Sequence, residues 1–433
     1  MKLQFLLLGI LVIILFNNST AQISNEYLNK VSEQLIKMDN TFDGRYPEYT
    51  INGIYKYRDR VNWLSGFTGG ELWNIYELTG NEALKNRAIK HADSLIEFAS
   101  IDYTHDMGFM FLLTVVKAYK VTGLQKYKQA GITAARMLAK RFNSNGNFLR
   151  AWGKLGDPNR AGWMIIDTMM NLELLFWAWL ETGDYTFYDI AYKHAITCMK
   201  QNIRTDFSSH HVIEFDTETG EVIKKRTHQG LNNETTWARG QAWGIYGFAT
   251  AYKYTGDKRF FRTSKKMADV LIQSLPEDFV PYWDLSLSGE GVVRDASAGA
   301  IAASGMYLVA DACNLKSDFI NYNKYADTIA ESIINNYSFL NSSREREEGL
   351  LLHTVYNFHK GWGVDESYTC GDYYYTEVLK KYAKKLNKII ELTDDLRKKI
   401  IINDDWFYLE DNFRDLGELQ FSTEEWQKIN VPH

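Results

Sequence analysis

The chain has 433 residues, 45 % of them hydrophobic, enough to bury a sizeable core in one large domain or in two or three ordinary ones. Its formal charge of −5 argues against nucleic acid as a partner, so an anionic ligand would need a local cluster of Arg, Lys or His. Pro is scarce at 5 residues while Trp and Tyr number 12 and 27, which favours helices and aromatic surfaces for flat or sugar-like ligands.

The first element is a targeting segment. Lys2 precedes an apolar run from Leu3 to Phe16, and Asn17 to Ala21 supplies polar and small residues, so cleavage after Ala21 and export from a bacterial cell, to the periplasm or beyond, are expected. The run is short for a membrane span, although an uncleaved anchor is the alternative; after cleavage no stable membrane insertion is expected. Cys198, Cys313 and Cys370 are scattered and odd in number, and they read as buried thiols without a disulfide framework.

An internal repeat then decides the architecture. Four segments close in the same way, at YELTG (Thr79), YKVTG (Thr122), WLETG (Thr182) and YKYTG (Thr255). Each is followed by an amphipathic stretch with apolar residues at helical spacing: KNRAIKHADSLIEF, QKYKQAGITAARML, YTFYDIAYKHAITCM and KRFFRTSKKMADVL. Two more pairs complete the set, SAGAIAASGMYLVADA with NKYADTIAESIINNY, and GDYYYTEVLKKYAKK with the N-terminal NEYLNKVSEQLIKMD. Inner helices without a wet face must be enclosed, so the expected fold is all-α, an (α/α)6 toroid of six hairpins; an open solenoid is the alternative.

The third inner segment, Trp163 to Gly183, is apolar on nearly every face and reads as one buried helix with Asp167 in its first turn. A carboxylate among Ile165, Ile166, Met169 and Met170 is either a helix cap or functional. Register favours function. Sixteen residues before the closing Thr stand Trp63, Asp106 and Arg239, and fifteen before it stands Asp167, so these side chains gather at one end of the ring, about 24 Å from the TG turns.

At this end the sequence resembles a known family. HDMGF (His105 to Phe109), IDTMMN (Ile166 to Asn171), THQG (Thr227 to Gly230), WARGQAWGIYG (Trp237 to Gly247), RDASAGAIAASG (Arg294 to Gly305) and GDYYYTEVL (Gly371 to Leu379) together resemble the unsaturated glucuronyl hydrolases, glycoside hydrolase family 88, over roughly residues 25 to 385. The resemblance implies an α/α toroid that removes a 4,5-unsaturated uronic acid from the non-reducing end of oligosaccharides left by polysaccharide lyases. A related family acting on unsaturated rhamnogalacturonan fragments shares the fold and the carboxylate pair. The resemblance makes Asp167 the proton donor and Asp106 the second carboxylate, and no metal or cofactor is called for.

That chemistry suits the residues. An unsaturated uronide is a vinyl ether, so protonation at carbon 4 creates an oxocarbenium centre at carbon 5 to which water adds, and an acid of raised pKa serves. Asp106 would orient sugar hydroxyls and help keep Asp167 protonated. Substrate-binding candidates are His105, Trp63, Trp152, His211, His228, Gln229, Arg239 and Trp243, with the three Trp as a stacking wall. Arg294, Asp295 and Ser297 read as the cap of the fifth inner helix, and His359 and Lys360 in FHKGWG as an ordinary solvated loop, with contact to a sulfate or carboxylate further along the oligosaccharide as the alternative. An inverting glycosidase, a sugar epimerase and a non-catalytic oligosaccharide binder on the same toroid are the competing readings.

The expected division is a signal peptide to 21, a catalytic domain over 22–386 and an extension over 387–433. The extension lacks the hairpin repeat, and NDDWFYLEDNF with EEWQKINVPH resembles the opening strands of the sugar-binding β-domain of family 2 glycosidases.

Overall fold

The computed structural model describes residues 23–40, 44–313, 316–399, 406–408 and 427–429, so the expected signal segment lies outside the described residues. The chain divides into a unit ending at Ala383 and a second beginning at Lys384. In the first, helices alternate between an outer and an inner ring.

The outer helices are α1 (Asn25–Asp39), α3 (Glu82–Leu95), α5 (Gln125–Ala139), α7 (Tyr185–Gln201), α9 (Lys258–Ser274) and α11 (Lys316–Asn336). The inner ones are α2 (Phe67–Thr79), α4 (Lys117–Thr122, entered through a π-helical stretch, Gly108–Val116), α6 (Thr168–Thr182), α8 (Ala238–Thr255), α10 (Ala296–Asp311) and α12 (Thr369–Lys399). Packing follows the order of the chain. Trp73 Nε1 on α2 donates to the Thr114 carbonyl, Phe109 N to Asn171 on α6, and Lys381 on α12 to the Ser304 carbonyl of α10. The last inner helix then meets the first, where Asn74 on α2 donates to Thr376 on α12 at 3.2 Å. Tyr27 of α1 hydrogen-bonds Tyr375, the outer partner expected for α12. The ring is closed, as the largely apolar inner faces require; each large apolar side chain buried there contributes about 1.5–3 kcal/mol.

The TG signature has a physical basis. Gly80, Gly123, Gly183 and Gly256 sit at φ 67 to 74°, a left-handed turn that costs glycine nothing. The preceding Thr hydroxyl donates four residues back, as Thr182 does to the Ala178 carbonyl at 2.6 Å, and accepts the N–H two residues on. Asn81, Asp184 and Asp257 then cap the next helix through their side chains. These turns are short, whereas the connections at the other end carry small antiparallel strands.

Those strands are β1 (Tyr46–Ile51) with β2 (Ile54–Arg58), β3 (Phe142–Asn143) with β4 (Phe148–Leu149), the sheet β5 (Trp163–Ile165), β6 (Val212–Phe215) and β7 (Val222–Arg226), and β8 (Thr354–Asn357) with β9 (Trp362–Glu366). Two departures from the expected helices follow. The segment from Trp163 to Gly183 is not one helix: its first residues form β5, and α6 begins only at Thr168. The second inner segment is π-wound after Asp106, where Gly108 lies so close to α6 that a Cβ would fall 2.6 Å from the Asn171 Cα.

Helix α12 runs unbroken through position 387 to Lys399. In the second unit β10 (Trp406–Tyr408) pairs antiparallel with β11 (Gln427–Ile429); the rest of the segment resembling a β-domain lies outside the described residues. Cys198 and Cys370 are buried, and Cys313, expected to be buried, is only partly so because it follows the end of α10.

Candidate active site

The sheet β5–β6–β7 assembles the centre. Ile165 on β5 opposes Val212 on β6, and Ile166 N then donates to the His211 carbonyl at 3.1 Å, which sets Asp167 beside His211. On the other side of β6, Arg226 opposes Val212, and the chain leaving β7 turns back so that His228 N and Gln229 N donate to His211 Nδ1 at 3.2 and 3.3 Å. Residues far apart in sequence thus meet through one register.

Those two donors fix the tautomer of His211. Nδ1 accepts, so the proton of the neutral ring sits on Nε2. Burial, helped by His228 and Arg239, pushes the imidazole pKa well below its usual value and keeps it neutral. Nε2 faces Asp167 Oδ2 at 3.6 Å, and neither atom has another hydrogen-bond partner. That spacing is long for a direct bond, and both atoms are buried.

Asp167 stands at the N-cap position of α6 but its side chain does not cap. The N–H groups of Met169 and Met170 are taken by the carbonyls of Ile166 and Asp167, each at 3.0 Å, which leaves the carboxyl free for the cavity. Its side chain keeps only 15 % of its surface exposed. Burial, aided by the charge of Asp106 and opposed by Arg239 and a hydrogen bond from Trp243, raises its pKa to about 7.

Asp106 is held differently. Its Oδ2 accepts from Thr104 at 2.5 Å and its Oδ1 lies 3.2 Å from His105 Nε2, whose other nitrogen meets Thr168 Oγ1 at 2.8 Å. Burial lowers the His105 pKa, and the neutral ring then donates to Asp106 and accepts from Thr168. Thr168 directly follows Asp167, so the two acids are tied through one histidine and one threonine.

Both acids line a single cavity of about 380 Å³, together with Trp63, His105, Trp152, His228, Gln229 and Arg239. Trp63 donates to Tyr356 and stays half-exposed, and Trp152 lies against His228 at 5.3 Å, so both rings form walls. Two expectations need correction. Trp243 is not part of the wall: it is 1 % exposed, packed on Phe109 and Tyr374, and acts on Asp167 from behind. Arg239 borders the cavity, but its guanidinium is committed inward, to Asp295 at 2.9 Å, Gln229 at 2.7 Å and the Val355 and Tyr356 carbonyls. Its part is to hold Gln229 and to lay positive charge under the cavity. Asp295 also caps α10 as expected, accepting from Ser297 N and Ala298 N.

Sequence patterns missed Trp237, Tyr356, Trp362 and Arg160, which also line the cavity, as does Lys360, expected in a solvated loop. Tyr356 and Trp362 come from the hairpin β8–β9, a connection with no helical periodicity. Trp237 stacks on His211 at 4.5 Å; it stood in a recognised motif, and its place just before α8 was the available signal.

The profile of Glycosyl Hydrolase Family 88 matches residues 34–388. The chain belongs to this family. An unsaturated chondroitin disaccharide hydrolase of Streptococcus pneumoniae (strain ATCC BAA-255 / R6) is 36 % identical over 367 residues, 83 % of this chain and 92 % of that protein. An unsaturated glucuronyl hydrolase of Bacillus sp. (strain GL1) is 35 % identical over 350 residues, covering 78 % and 91 %. The crystal structure of an unsaturated glucuronyl hydrolase from Streptococcus agalactiae aligns with a TM-score of 0.77 at 36 % identity, over 83 % of this chain and 92 % of that one. Family 88 membership accounts for the toroid.

Proposed function

We propose that this family 88 enzyme removes the terminal 4,5-unsaturated uronic acid from lyase-generated oligosaccharides, with Asp167 as the acid that protonates carbon 4. The observation that carries this reading is a desolvated carboxyl with a pKa near 7 that lines the cavity and has the N–H of a neutral histidine 3.6 Å away. Such a group is protonated at neutral pH and can donate; as a carboxylate it can then take a proton back.

In the first step the proton moves from Asp167 to carbon 4, and the ring oxygen stabilises the cation at carbon 5. Water adds at carbon 5 and returns its proton to Asp167. The hemiketal opens to a ketone, leaving a hemiacetal at carbon 1 that expels the shortened oligosaccharide. One water is consumed and no group is oxidised. His211 Nε2–H, buried behind Asp167, is placed to steady its carboxylate, and Asp106, held by Thr104 and His105, is placed to accept from sugar hydroxyls. Because the alkene sits only on the terminal ring, a closed cavity floor suits the substrate better than an open groove.

We also read Met1 to Ala21 as an export signal, which places the enzyme outside the cytoplasm, where polysaccharide fragments arrive. The test of the reaction is the ultraviolet band of the conjugated uronate. It should disappear when enzyme meets a lyase digest and persist with Asp167→Asn, with a rate lowered by roughly 10²–10⁴. Turnover by that variant at the wild-type rate would remove Asp167 from the mechanism.

A further inference from the structure

The rim of the cavity carries a cation that the reaction above does not use. Arg160 lines the cavity and is exposed. Its backbone has φ +56°, a region uncommon for any residue but Gly, Asn or Asp. Its guanidinium lies 5.2 Å from the Trp163 ring centre and 5.9 Å from that of Trp152, and no described carboxylate forms an ion pair with it.

The loop that presents it is pinned from below. Arg150, 6 % exposed, donates to the Trp152 and Asn159 carbonyls, each at 2.7 Å. Arg141, 2 % exposed, donates to the carbonyls of Ala151 and Gly153 at 3.1 and 3.0 Å. A merely solvated arginine needs neither a left-handed backbone nor such a clamp; strain that the surroundings over-determine belongs to a placed side chain. Its charge also reaches inward, since burial first and then Lys360 and Arg160 lower the His228 pKa.

We propose that Arg160 is the receptor for an oxyanion carried by the sugar next to the uronate ring, and that it makes the enzyme favour charged leaving oligosaccharides. The proposal rests on the reading of the preceding section. The alkene must meet the floor, where the Asp106 and Asp167 side chains are only 11 and 15 % exposed, so the rest of the chain leaves past the open rim where Arg160 lies. A planar guanidinium backed by two indoles can take a sulfate ester or a carboxylate through two parallel hydrogen bonds.

The test compares kcat/KM on two unsaturated disaccharides that differ only in one sulfate on the second sugar, and on an unsulfated tetrasaccharide whose next carboxylate lies further out. Wild type should favour the sulfated over the plain disaccharide by roughly tenfold, the scale of one charge-assisted hydrogen bond, mainly through KM. Arg160→Gln and Arg160→Gly should both collapse that ratio toward one, with Arg160→Lys keeping part of it. Since glycine relieves the left-handed backbone, Arg160→Gly should also melt at a higher temperature than wild type, which separates lost recognition from lost folding. A preference confined to the tetrasaccharide would put the anion on a sugar further out and would overturn the placement at the sugar next to the uronate. Equal losses on charged and uncharged substrates in Arg160→Gln, or a wild type without any preference, would overturn the proposal. No turnover of any substrate by wild type would instead sink the reaction on which it stands.

Discussion

The proton on Asp167 governs both rate and stability. As pH rises through about 7 the acid form disappears, so kcat should fall along a single ionisation, and a kcat profile still rising at pH 9 would contradict the assignment. The same raised pKa has a thermodynamic sign. The native state binds this proton more tightly than the unfolded chain does, so the contribution of Asp167 to stability is intact below about pH 4 and lost by the time pH passes 7. Asp167→Asn should therefore gain on wild type across that window, by at most about 4 kcal/mol, and by nothing more at higher pH. Denaturant melts at pH 4, 6 and 8 measure the gap; an inactive variant with no such gain would mean the carboxyl is better solvated than its burial indicates. His211 offers a second check. His211→Asn should retain most of the fold yet lower kcat by roughly 10- to 100-fold, with KM changed less, because the N–H that faces Asp167 is gone.

At the scale of elements, the site depends on the register of β5 against β6. Gly162 precedes β5, and a Cβ there would fall 1.9 Å from the Phe215 carbonyl, whose own N–H is bound to Gly162 O at 2.8 Å. Gly162→Ala must push the strands apart, and we expect a cost of about 1–3 kcal/mol with a loss of activity, seen together in thermal melts and in the uronate absorbance assay. The sequence concealed this strand for a physical reason. Met164, Ile165 and Ile166 continue the apolar run of α6, and three residues are too few for the alternation of a strand to separate from the period of a helix. The helices were legible because four of the six inner segments end on Thr–Gly and the outer ones keep an apolar stripe. Asp106, Asp167 and the ring of Trp63 could be placed because they stand at a fixed distance from those endings. Arg160, Tyr356 and Trp362 could not, since connections carry no register. Trp243 and Arg239 were legible as neighbours of the site but not as inward-facing, because periodicity does not say which side of a helix start meets the cavity.

The whole ring is joined where α2 meets α12, and that seam contains a buried acid with no role in the reaction. Glu71 on α2 is fully buried with both carboxyl oxygens unpartnered, and burial, then Asp372 and Asp39, raises its pKa well above the usual carboxylate value. Nearby, Asp372 on α12 accepts from Tyr55 and from the N–H groups of Leu350 and Leu351. A raised native pKa means that the contribution of Glu71 is retained in acid and lost as pH rises through that pKa. Glu71→Gln should thus melt like wild type near pH 5 and several degrees higher near pH 9; identical curves at both would show that the acid keeps its proton throughout.

The same seam bears on synthesis. Every side chain that touches the cavity lies between positions 62 and 362, but the wall that completes the barrel begins at Thr369. A nascent chain on the ribosome therefore holds all its chemistry in an unfinished shell, its greasy inner surfaces open on one side, until the final stave emerges. Chaperone dependence and the onset of turnover should both track the appearance of that last stave rather than of the acids themselves.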